Sequence, residues 1–190
     1  MEGFIKNLEV IINESIKEET IELSDIPNID LYMDQVTTFM EESLKSYKRY
    51  PVDKVLTKTM INNYAKAKLF PSPLKKKYTK NHLMLLVIIY HLKSILSIND
   101  INKLLKPITE NIVNNEKSTE LETLYKYFTV LQKTSRKNDF ILSEIQYEIL
   151  TEDSIKNKEN IMLILTVLLS SIKANQEKRI AEKILDKFFV

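Results

Sequence analysis

A single glycine, Gly3, in 190 residues restricts this chain more than any other feature. Tight hairpins, Gly-rich phosphate loops and close-packed strands need positions with positive φ, which glycine fills without steric penalty. An all-β fold, a phosphate-binding loop and a Rossmann fingerprint are therefore excluded. The absence of cysteine removes disulfides, thiolate zinc sites, iron–sulfur clusters and cysteine nucleophiles. What remains is an all-α protein. At 22.3 kDa it is large enough to bury a substantial core, and its 44% apolar and 28% charged content is that of a folded chain.

The net charge of +2 conceals a strong asymmetry. Between Lys45 and Lys93 stand 12 basic residues and one acid, Asp53, so this segment carries +11 and the remainder −9. Ordinary surfaces intersperse both signs, and a block of one sign points to a polyanion partner, most commonly nucleic acid. A solvated lysine-rich face is the plainer alternative. The N-terminal residues do not read as a secretory signal. The longest apolar runs, Leu83–Tyr90 and Ile161–Leu169, are too short for the roughly 20 residues of a membrane-spanning helix. No membrane insertion and a cytoplasmic location are expected. The abundance of Lys, Asn and Ile suggests an AT-rich bacterial genome.

Periodicity predicts helices over Phe4–Glu18, Leu31–Leu44 with Asp30 placed to cap it, and Thr57–Lys68. Phe70–Tyr78 holds Pro71 and Pro73 and reads as an exposed loop tipped by Lys75, Lys76 and Lys77. Thr79 then caps a helix running to Leu96, apolar almost all round and hence central. Ser97–Asp100 has the form of a capping box opening a short helix that Pro107 closes. Beyond it, helices are predicted over Leu121–Leu131, Phe140–Leu150 and Glu159–Phe188. The composition turns acidic after Pro107, so the expected organisation is an N-terminal helix over 1–24, a basic domain over 25–110 and a helical C-terminal domain over 111–190.

Two short helices at a steep angle can place the second in a major groove, and a lysine-tipped loop beside it can reach the flanking phosphates. Lys58, Thr59, Asn62, Asn63, Lys66 and Lys68 would then face a duplex, with Met60, Ile61, Tyr64 and Leu69 turned to the core. Asn pairs bidentately with adenine, and Lys and Thr suit phosphate or guanine.

The residues Asn63-Tyr64-Ala65-Lys66-Ala67-Lys68-Leu69-Phe70-Pro71, then Lys76-Lys77-Tyr78-Thr79, then Ser97-Ile98-Asn99-Asp100-Ile101 through Leu104-Leu105 resemble the winged-helix domain of the MerR family. Tyr64 matches the second aromatic of that pattern, Leu69 and Phe70 its Leu pair, Lys76 and Tyr78 its wing Arg and Tyr, and Ile101 the Ile of its short helix. The likeness covers Thr57–Lys106. Asn62 stands where that family has an Arg, Asn63 replaces its first aromatic, and Lys68 replaces its turn glycine. The whole chain also resembles an uncharacterised bacterial domain-of-unknown-function family with this MerR-like core.

The resemblance implies a MerR-like winged helix-turn-helix domain followed by a helical domain for dimerisation or ligand sensing. The implied function is a DNA-binding transcriptional regulator, with double-stranded DNA bound by Lys58, Thr59, Asn62, Asn63, Lys66, Lys68, Lys75, Lys76, Lys77 and Tyr78. A homodimer and a small-molecule effector at the C-terminal domain are the further expected partners. The alternative is a non-enzymatic interaction module whose basic face docks an acidic protein or a membrane surface.

No catalytic, metal or cofactor residues are assigned. His82 and His91 lie nine apart on one helix, too far to share a metal. His82 is expected at the surface of a first helical turn, and His91 as a hydrogen-bonded packing residue. Glu18-Glu19 and Glu41-Glu42 read as solvated faces, and Tyr125, Tyr127 and Phe128 as core.

Overall fold

The computed structural model describes residues 10, 20–112, 118–134, 141–152, 155 and 157–188. The helix expected over Phe4–Glu18 lies, Val10 apart, outside the described residues. Seven α-helices and one two-stranded sheet are found among the rest. The all-α expectation is met in this coarse form.

A short strand, β1 (Leu31–Tyr32), leads into α1 (Met33–Ser43). Asp30 is not its cap. Tyr32 occupies that position, and its backbone N–H donates to the Gln35 side chain at 2.9 Å. A 3-10 turn (Lys45–Tyr47) opens the connector to α2 (Lys58–Lys66). Thr57, at the expected start of the helix, caps α2 by accepting from the Met60 N–H at 3.2 Å.

The end of α2 is where glycine scarcity is resolved unexpectedly. Lys68 adopts φ 57°, in the left-handed region. Its N–H donates to the Ala65 carbonyl at 3.0 Å, and that of Leu69 to the Tyr64 carbonyl at 3.0 Å. This pair of bonds is a Schellman C-cap with lysine where glycine is the usual occupant. It closes the helix at Lys66, two residues before the predicted end, and turns Leu69 and Phe70 into the core. Lys75 (φ 50°) and Lys76 (φ 62°) repeat the device. With the Lys77 N–H donating to the Leu74 carbonyl at 2.9 Å, they form the two-residue turn of a hairpin with both central residues at positive φ. Each left-handed lysine costs about 1 kcal/mol against a right-handed backbone. Positive-φ turns are thus present, and lysine rather than glycine supplies them.

The hairpin leads into β2 (Lys77–Tyr78), which pairs antiparallel with β1 in the register Leu31 to Tyr78 and Tyr32 to Lys77. The loop read from the two prolines is therefore a structured hairpin whose base is stitched to the strand before α1. Next comes α3 (Lys80–Leu92), with 11 of its 13 residues buried, the central helix the sequence demanded. It ends one turn before the predicted Leu96, because residues after Lys93 tighten into a turn before α4 (Ile98–Thr109). Ser97 caps α4 by accepting from the Asp100 N–H at 3.2 Å. Pro107 does not terminate α4. It sits in the last turn, where it forfeits one backbone bond without ending the helix, and the Asn111 side chain donates to the Pro107 carbonyl at 2.9 Å.

The remaining helices are α5 (Thr119–Thr134), α6 (Ile141–Thr151) and α7 (Lys158–Phe188). Helix α7 packs against α5, α6, α3 and α4, and α5 against α3. Tyr125 and Phe128 are fully buried in a cluster that runs without a break from Ile21 to Ile172. The Tyr125 hydroxyl donates to the Ile21 carbonyl at 2.9 Å, so α5 holds the entry of the described chain. Among the described residues no helix is long and apolar enough to cross a membrane.

Candidate nucleic-acid interface

Helix α2 turns Ile61 and Tyr64 inward and leaves Lys58, Thr59, Asn62, Asn63 and Lys66 exposed. Lys68, Lys75 and Lys76 are also exposed. Met60, expected in the core, is 36% exposed and belongs to the outer face. The spacing explains the sorting, since positions 61 and 64 lie on one side of a 3.6-residue helix and 58, 59, 62, 63 and 66 on the other.

The start of α1 brings this face and the hairpin together. Asp34 forms an exposed ion pair with Lys58 at the start of α2. Two residues earlier, Tyr32 pairs with Lys77 across the sheet and lies under its ammonium, 5.7 Å from ring centroid to Nζ. The outer face of α2 and the lysine-tipped hairpin thus flank the same helix terminus. Among the described residues Lys66, Lys68, Lys75 and Lys76 form no ion pair, so their charge is available to a partner.

Tyr78 is the exception among the predicted contacts. It is 4% exposed, in edge contact with Phe70 at 6.5 Å and His82 at 5.5 Å, and offers a duplex no face. Its alternation with Lys77 along β2 places it on the core side. Lys77 is half-buried, its ammonium over the Tyr32 ring.

His82, expected at the surface, is 1% exposed and fastens the hairpin segment. Its Nδ1 accepts from the Thr79 N–H at 3.0 Å, which places the proton on Nε2, and Nε2–H donates to the Pro71 carbonyl at 2.9 Å. The imidazole caps α3 in the role usually played by Glu and pins the first residue of the loop. Burial holds its pKa below the ordinary histidine value, against the opposing pull of the Pro71 hydrogen bond. A histidine three residues after a Thr cap carried a signal for this, but the capping pattern is normally sought in Glu or Gln.

Not all of the basic block reaches this surface. Lys48 pairs with Glu41, which also accepts from the Val55 N–H at 3.2 Å. These bonds hold the Glu41 carboxyl below its ordinary pKa, the Lys48 bond foremost, so Glu41 is not merely a solvated face. Arg49 grips Asp186 of α7 with Nη2 at 2.7 Å and Nε at 3.1 Å, and reaches Glu182 at 3.3 Å. Lys80 lies 3.5 Å from Glu122, and Lys93 donates to the Val55 carbonyl at 2.7 Å. These four cations fasten the connector and α3 to the rest of the molecule. The positive surface is narrower than the sequence count implies.

Over residues 21–128 the chain matches a family described as Domain of unknown function (DUF1836). No curated protein and no solved structure matches it. The match takes in α1, α2, the hairpin, α3, α4 and most of α5, more than half of the chain, and the protein belongs to the DUF1836 family.

Proposed function

We propose that this protein is a cytoplasmic DNA-binding transcriptional regulator with a MerR-like winged helix. In this reading α2 enters the major groove and the wing tip meets the flanking phosphates. The observation that carries it is the convergence, around the start of α1, of the outer face of α2 with a hairpin whose tip is two exposed left-handed lysines. Strained backbone persists where surrounding structure enforces it, and here it aims two ammonium groups outward from a stem stitched by β1 and His82. Asn62 and Asn63 read bases; Lys58, Thr59, Lys66, Lys68, Lys75 and Lys76 position the backbone, with Lys77 at the margin. Residues 111–190 serve dimerisation or sensing, and no catalysis is required.

The test is fluorescence anisotropy on a random-sequence duplex across a salt series. Each phosphate contact adds roughly 0.9 to the slope of log affinity against log salt. Asn tolerates the left-handed region, so Lys75→Asn with Lys76→Asn removes two charges and keeps the turn. The slope is expected to fall by up to about 1.8, with sequence preference unchanged. An unchanged slope removes the wing from the interface. Binding no tighter than that of an equally basic control protein favours instead an interaction module docking an acidic partner or membrane surface.

A further inference from the structure

A pocket of about 310 Å³ lies where the connector, the end of α3 and the middle of α7 meet, away from the outer face of α2 and the wing. That volume is within the range of small-molecule sites. Its apolar walls are Tyr47, Tyr90 and Ile172, the two rings edge to face at 6.1 Å. Its polar lining holds four cations, Arg49, Lys93, Lys178 and Arg179, against two carboxylates, Asp53 and Glu182.

Both carboxylates are already engaged, Glu182 by two of the pocket's own cations. Asp53 accepts from the Tyr50 N–H at 2.9 Å, and Glu182 lies 3.3 Å from Arg49 and 4.0 Å from Lys178. Lys93 is different. Its ammonium sits 4.5 Å over the Tyr90 ring and donates to the Val55 carbonyl, and among the described residues no carboxylate lies within ion-pair distance. Burial lowers its pKa, the sign of a cation short of compensating charge. A desolvated cation against an aromatic wall favours a ligand that brings its own anion and a flat apolar body. The floor is rigid: Asn175 donates to the His91 carbonyl at 2.8 Å and accepts from Ser94 at 2.6 Å, and Arg179 donates to the Ser46 carbonyl at 3.0 Å.

We propose that this pocket binds a compact aromatic carboxylate, with the carboxylate on Lys93 and the ring against Tyr47 and Tyr90. The site goes beyond the duplex reading and stands without it.

Isothermal titration of the full chain with benzoate and 2-naphthoate, with benzamide as the uncharged isostere, tests the assignment. At least one carboxylate is expected to bind saturably at one site. Benzamide should bind at least tenfold more weakly, and Lys93→Met should weaken the carboxylate at least tenfold. Lys106→Met, on the exposed face of α4, should change nothing. Should Lys93→Met fail to fold, methyl and ring NMR of the unaltered protein decides, with shifts expected at Ile172 and Tyr90. Absence of saturable binding by both carboxylates, retention of wild-type affinity by Lys93→Met, or shifts confined to Lys75–Lys77 would overturn the proposal.

Discussion

Lowering the pH from 7.5 to 5 should strip stability from this protein, most of all through the buried imidazole of His91. The side chain is buried against Tyr47, Tyr90 and Phe128, with ring centroids at 4.7, 5.5 and 5.4 Å. Its Nε2 accepts from the Gln132 amide at 3.1 Å, and the same amide donates to the Tyr47 hydroxyl at 3.2 Å. A proton on Nε2 would set two donors face to face in an apolar pocket. Burial, with Arg179 nearby as a smaller contribution, lowers the His91 pKa from 6.5 to about 3.

Because the folded pKa lies below the unfolded one, the unfolded chain takes up a proton that the folded chain refuses. The stability is intact above pH 6.5 and drains as the pH falls toward 3, by at most about 1.4 kcal/mol per pH unit. Integrated from pH 7.5, the loss reaches roughly 2 kcal/mol at pH 5 and roughly 2.6 kcal/mol at pH 4.5. That is a large share of the 5–15 kcal/mol typical of a native domain. Carboxylates held by partners, such as Glu41 and Asp186, lose stability in the same direction, so the wild-type curve alone does not isolate the imidazole. The comparison is urea unfolding of wild type and His91→Gln at pH 7.5, 6 and 5. The variant keeps the carboxylates and His82 but has nothing to titrate at position 91, so its loss should be smaller by about 2 kcal/mol at pH 5. Equal losses in the two proteins would show that His91 is not held neutral.

The remaining perturbations address the local rules. Lys68→Gly relieves the Cβ clash at a C-cap with φ 57° and should stabilise the fold by roughly 0.5–1 kcal/mol in urea unfolding, while weakening duplex affinity if Lys68 meets phosphate. A destabilised variant would refute the reading of Lys68 as the strained occupant of a glycine position. Thr57→Ala removes the hydroxyl that accepts the Met60 N–H and should cost about 1 kcal/mol, recovered by Thr57→Ser. Failure of Ser to rescue would indicate that the Thr methyl rather than the cap carries the effect.

Much of the fold was legible in sequence because it depends on short-range rules. Ser97 caps the helix it was expected to open and Thr57 stands at the expected start of α2, each through a hydroxyl three residues from the N–H it satisfies. The seamless apolar run from Leu83 to Ile89 could belong only to a central helix, and α3 is that helix. The outward placement of Asn62 and Asn63 followed from period alone. Other readings failed where local pattern and tertiary context disagreed. Tyr78 was grouped with the lysines beside it, but strand alternation and the Phe70 and His82 rings draw it inward. Pro107 looked like a stop, yet a proline in a last turn forfeits one bond, and Asn111 caps its carbonyl.

By itself, then, the chain determined its class: apolar residues at helical spacing and long apolar runs call for helices whose bonds close within each segment, although the scarcity of glycine did not exclude the hairpin turned by Lys75 and Lys76. It also set which residues of α2 are polar and outward. Tertiary structure alone decided what the charges do. Arg49 finds Asp186 across 137 positions and Lys93 finds Val55 across 38, and no count along the sequence separates these fastened cations from Lys66, Lys75 and Lys76, which stay open. The reason is reach: a helical period fixes the face on which a side chain emerges, whereas its partner is fixed by how distant segments pack around a shared core.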